Sequence, residues 1–104
     1  MERYAWKATV LPGKLDEYVD RHAHLWPEMK AVLQEAGIRN YTIWNMGNEL
    51  FGYYECDSVQ TAAQVQARSA VVDRWNEYMK DVMQMDMDPV TGAQPLMRQV
   101  FLLE

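Results

Sequence analysis

The chain has 104 residues, which suits one compact domain and is too short for two, so residues 1–104 are expected to form a single unit. Hydrophobic residues make up 49% and charged residues 24%, a globular balance that argues against disorder. The net charge of −5 without a Lys/Arg cluster gives nucleic acid or an anionic membrane little to hold, and no apolar run approaches the roughly 20 residues that span a bilayer.

Residues 3–11 alternate, with Tyr4, Trp6, Ala8 and Val10 set against Arg3, Ala5, Lys7 and Thr9. Period two predicts a strand with one buried face, closed by a Pro12-Gly13 turn. Residues 14–36 carry helical spacing through Leu15, Tyr18, Val19 and His22, and again through Met29, Val32, Leu33 and Ala36. Pro27 lies between the halves and predicts a kink or a fresh helix start, because proline loses a hydrogen bond and clashes with the preceding turn. Gly37 is the expected terminator.

Ile38 to Asn45 and Glu49 to Cys56 predict two strands joined through Met46-Gly47-Asn48. Both faces of this pair carry apolar or aromatic residues, which calls for cover on both sides. Asp57-Ser58 predicts the cap of a second helical region, and Ser69 the cap of a further segment bearing Val71, Val72, Trp75, Met79, Val82 and Met83. Residues 84–95 read as loop and Leu96 to Leu103 as a final strand. The order is βαββαβ, the α+β ferredoxin-like arrangement, with helices on one sheet face. The uncovered face predicts a homodimer that packs sheet against sheet. The single cysteine, Cys56, permits no intrachain disulfide, and the N-terminus lacks an apolar leader core. Both point to the cytoplasm.

Among the candidates for chemistry, Tyr18 and His22 lie four residues apart, so a helix sets phenol and imidazole on one face. An imidazole titrates near 6.5 when unperturbed and can give or take protons at neutral pH. The plainer reading is a helix histidine bonded to a backbone carbonyl. His24 points elsewhere on the helix and no Cys or carboxylate cluster joins it, so no metal site is expected. Trp75 is either core or an indole platform for the apolar face of a sugar, with Asn76 beside it offering a donor and an acceptor. Tyr41 is either core filler or a hydroxyl reaching a pocket. No Gly-rich phosphate loop, Gly-x-Ser-x-Gly or zinc spacing occurs, and Cys56 has no basic neighbour in sequence to activate it.

Arg21-His22, two further residues, then Leu25-Trp26-Pro27-Glu28 resembles the RH-x-x-(I/L)WPE segment of the L-rhamnose mutarotases. Tyr18, Asn40-Tyr41, Leu50-Phe51-Gly52, Arg74-Trp75, Tyr78-Met79 and Val100-Phe101 extend the resemblance in order over nearly the whole chain. It implies a dimeric α+β barrel of ferredoxin-like subunits that interconverts the α and β anomers of L-rhamnopyranose. It also implies His22 as proton donor, with Tyr18, Tyr41, Trp75 and Asn76 contacting the sugar. Ring opening and reclosure need acid/base help and no cofactor, so none is expected. The family shows two adjacent tryptophans where this chain has Trp75-Asn76. Another 6-deoxyhexose such as L-fucose is therefore the alternative substrate. Haem-binding or monooxygenase chemistry with His22 or His24 as ligand, and a ligand-sensing module without turnover, are the other readings that this architecture hosts.

Overall fold

Alternation at the N-terminus produces β1 (Glu2–Val10), with Trp6, Ala8 and Val10 buried on one face. The computed structural model describes residues 1–86 and 97–104. In it β1 is followed by α1 (Leu15–Ala23), α2 (Pro27–Glu35), β2 (Arg39–Met46), β3 (Glu49–Cys56), α3 (Val59–Ala67), α4 (Ala70–Met79) and β4 (Met83–Met85). The strands form one antiparallel sheet in the order β2-β3-β1-β4. This is the expected ferredoxin-like arrangement, with two short helices at each α position. The core joins one sheet face, through Trp6, Val10 and Leu50, to the helices, through Tyr18, Met29, Val72 and Met79.

Pro27 starts a new helix rather than kinking an old one. It occupies the first position of α2 behind Trp26, whose backbone is extended at φ −58°, ψ 135°. The serines cap as their positions suggest. Ser58 accepts from the Thr61 N–H, and Ser69 accepts from the Val72 N–H at 3.3 Å. Replacing Ser69 by Ala should lower stability by about 1 kcal/mol. A urea midpoint unchanged from the parent would show that the cap contributes nothing.

The β2–β3 hairpin has a two-residue loop with Gly47 at φ 60°, the type II′ pattern in which glycine holds the first central position. It pairs Trp44 with Phe51 and Ile43 with Gly52. Farther along, the register shifts between Arg39 and Thr42, where Asn40 takes a left-handed φ of 52°. This bulge adds one residue to β2 and reverses the facing of every side chain beyond it. Ile38 and Tyr41 both reach the helix face as a result, although an uninterrupted strand would set them on opposite sides. Trp44, Phe51 and Tyr53 are left on the uncovered face, where Trp44 is 67% exposed.

The last strand lies elsewhere than expected. Residues 97–104 form no strand, and Phe101 is 75% exposed. Leu96, and the expected loop from residue 87 to 95, lie outside the described residues. The fourth strand is instead Met83–Met85, directly after α4, pairing Val10 with Met83 and Ala8 with Met85. What marks it is a side-chain lock with no periodic signal: the Asp86 carboxylate accepts from Lys7 Nζ at 2.9 Å and Thr9 Oγ1 at 3.0 Å. The Lys7 ammonium holds the Asp86 carboxyl below the usual carboxylate range.

Candidate active site

The facing of α1 is set by its two sides. Tyr18 is its buried residue, while Arg21 ties the helix to the C-terminal end of α4. The Arg21 guanidinium donates to the Tyr78 carbonyl at 2.7 Å and to Asp81 at 2.8 Å, and it lies 4.2 Å above the Tyr78 ring. Next to this clamp, His22 is half-buried with its ring 4.3 Å from that of Tyr18. The single-turn spacing therefore brings phenol and imidazole together as the sequence implied.

The His22 Nδ1 lies 3.0 Å from the Tyr18 carbonyl oxygen. A carbonyl only accepts, so Nδ1 carries the hydrogen and Nε2 of the neutral ring keeps its lone pair. Burial pushes the imidazole pKa below its ordinary 6.5, and the Tyr18 carbonyl offsets part of that shift. The Tyr18 phenol is pushed up to about 12 by burial. It is 4% exposed, and its hydroxyl has no hydrogen-bond partner among the described residues.

Trp75 stands edge-on to both His22, at 5.5 Å, and Trp26, at 5.1 Å. At 7% exposure Trp75 is core, as one of its two sequence readings has it, and it also forms part of a cavity wall. Across the sheet, Tyr41 accepts a hydrogen bond from Trp6 Nε1 at 3.0 Å, and its ring lies 5.2 Å from that of Tyr54. Tyr41 is 36% exposed as a whole residue, yet its hydroxyl end is enclosed and burial raises its pKa.

All five expected residues, Tyr18, His22, Tyr41, Trp75 and Asn76, line one cavity of about 910 Å³ between the sheet and the helices. That volume lies in the range of small-molecule sites, and a mainly apolar wall with a few polar groups is their usual build. Trp6, Tyr54, Gln66 and Asp73 also line it, outside the set to which the sequence points. Two of them left a trace in the sequence: Trp6 through its place on the buried side of an alternating strand, and Asp73 through its three-residue spacing from Asn76. A smaller hollow of about 230 Å³ around Val32, Val65 and Arg68 holds neither imidazole nor phenol. His24 is exposed at the end of α1 and does not line the large cavity. Among the described residues no three His, Cys, Asp or Glu side chains converge, and no helix is long and apolar enough to cross a membrane. Cys56 is fully buried and its thiol pKa is raised by that burial, the opposite of an activated nucleophile.

Comparison with known proteins points the same way. The model of the L-rhamnose mutarotase family matches residues 3–103. An L-rhamnose mutarotase of Oceanobacillus iheyensis is 38% identical over 90 residues, covering 85% of this chain and 86% of the relative. The crystal structure of an L-rhamnose mutarotase from Formosa agariphila superposes with a TM-score of 0.81 at 29% identity over the full length of both chains. Tetracenomycin F2 cyclase from Streptomyces glaucescens superposes at 0.69, also over both full lengths. At 13% identity it speaks for the fold alone.

Proposed function

Because this chain belongs to the L-rhamnose mutarotase family, we propose that its single domain, residues 1–104, interconverts the α and β anomers of L-rhamnopyranose at the Tyr18/His22 cavity. The observation that carries this reading is the Tyr18 phenol. A buried hydroxyl without a partner is costly in a folded protein; this one has none among the described residues and lines a cavity beside an imidazole whose Nε2 has none there either. A sugar hydroxyl satisfies the first and supplies a proton to the second.

Neutral His22 accepts the proton of the anomeric hydroxyl at Nε2. The C1–O5 bond breaks, its electron pair stays on the ring oxygen, and Nε2 returns the same proton there. His22 is thus the donor to the ring oxygen, but only after it has acted as the base. The aldehyde turns about C1–C2, and the steps run in reverse on its other face. Protons and electrons balance without any second reagent. Tyr18, protonated throughout the neutral range, donates a hydrogen bond that orients a sugar oxygen. Asn76 discriminates among hydroxyl arrangements, since a wrong epimer leaves buried polar groups unpaired, and Tyr41 adds a further polar contact to the sugar. Trp75 supplies an apolar wall for the deoxy methyl and the apolar ring face.

The test is NMR saturation transfer between anomers, run on L-rhamnose, L-fucose and common aldohexoses. Acceleration greatest for L-rhamnose is the expected result. Greater acceleration for L-fucose would reassign the sugar, and unaccelerated exchange for every sugar would remove the enzyme claim.

The lowered His22 pKa sets the pH profile. The neutral ring is the active form, and it is lost as pH falls through a value below 6.5. kcat/KM should therefore hold level on the alkaline side of neutral and fall only toward acid, with its midpoint below the ordinary 6.5 of an imidazole. A profile that instead rises with acidity would show that the imidazolium is the starting form.

The uncovered sheet face, with Trp44 and Met46 exposed, supports a homodimer packed through it. Sedimentation of the parent and of Trp44→Lys tests this, the variant being expected to dissociate. A reducing cytoplasm suits a chain whose lone thiol is buried and unpaired.

A further inference from the structure

The Trp6 side chain makes an unusual crossing. Trp6 on β1 and Ile43 on β2 both pair with Gly52 of β3, which lies between them. The indole reaches over β3 at Gly52 to bond Tyr41 on the far strand. A Cβ at residue 52 would fall inside the indole ring, so the crossing exists only because that residue is glycine.

The direction of the bond follows from the chemistry of its ends. An indole N–H donates and cannot accept. The Tyr41 oxygen is therefore the acceptor, and its own hydrogen is left for another partner. No acceptor for that hydrogen occurs among the described residues, and the residue lines the cavity. Tyr41 thus meets a bound molecule as a donor.

A pyranose carries several hydroxyls, each able to donate or accept, and one oxygen that can only accept, the ring oxygen. Resting on the mutarotase reading, we infer that Trp6 is a positioning residue that fixes Tyr41 as the hydrogen-bond donor to the ring oxygen of the sugar. The bond strengthens as the C1–O5 pair moves onto that oxygen, so it favours ring opening over mere binding. The second lone pair of the ring oxygen remains for the proton from His22.

A double-mutant cycle tests the relay. Tyr41→Phe should lower kcat/KM about tenfold and Trp6→Phe by a similar factor, the scale of one hydrogen bond in a dry site. Trp6→Phe should cost nothing further in the Tyr41→Phe background. An equal loss in both backgrounds would reduce Trp6 to packing and overturn the inference. A readout independent of turnover is the Trp6 indole N–H resonance in the sugar-free protein. It should move upfield in Tyr41→Phe while those of Trp26, Trp44 and Trp75 stay put, and an unmoved Trp6 signal would show that the bond is absent.

The ring-oxygen assignment has its own probe, a carbocyclic analogue of L-rhamnose with CH2 in place of that oxygen. It should bind the parent about tenfold more weakly than L-rhamnose does, and the gap should close in Tyr41→Phe. A gap of the same size in both proteins would overturn the assignment. Failure of the parent to exchange any anomer would instead strike the mutarotase reading, leaving the resonance shift to report on the Trp6–Tyr41 bond.

Discussion

His22→Asn is expected to slow anomer exchange by about 10²–10⁴-fold, until the uncatalysed rate takes over. Asparagine keeps an N–H that can reach the Tyr18 carbonyl, so the local structure has a substitute for the bond at Nδ1. What it lacks is a second nitrogen with a basic lone pair. The variant should therefore melt within a few degrees of the parent while losing turnover, which separates a chemical role from a structural one. Saturation transfer at matched protein concentration gives the rate. Exchange within about twofold of the parent would end the assignment of His22, whatever became of the rest of the site.

The second large effect is on folding. Gly52→Ala places a methyl where the Trp6 indole lies, and the indole is itself 6% exposed in the middle of the core. The ring must shift away from its bond to Tyr41, or β3 must bow outward. Overpacking of this kind costs about 1–3 kcal/mol, at the upper end here because the obstructing group is bulky and is tied by its bond to Tyr41. For a chain of this length that is a drop of more than about 8 °C in Tm. The same substitution should remove the downfield position of the Trp6 N–H signal. A variant as stable as the parent, with that signal unmoved, would mean that the crossing over β3 is looser than drawn.

Most of the architecture was legible because it rests on local rules. Alternation gave β1, serine caps gave α3 and α4, and Pro27 marked the start of α2. The Tyr18/His22 pair was legible for the same reason, since one helical turn brings residues four apart together in any helix. Two features were hidden. The three-residue β4 is too short for a period to show, and it is set by the Lys7–Asp86–Thr9 lock across 77 or more residues of chain. The bulge at Asn40 gives no compositional warning either. Simple parity therefore could not tell which side of β2 Tyr41 takes, and with it the bond to Trp6. Long-range register, not residue type, is the quantity that one sequence withholds.

The partner that holds His22 is a peptide carbonyl rather than a side chain. The orientation of the imidazole is therefore encoded in the main chain of a single helical turn. On the proposed reading, substitutions at residue 18 would alter sugar contacts without disturbing the tautomer, as long as the turn stays helical. If His22 is the proton-handling group, as proposed, selection would be able to reshape the recognition surface while that group keeps its setting, a low-risk route to new sugars.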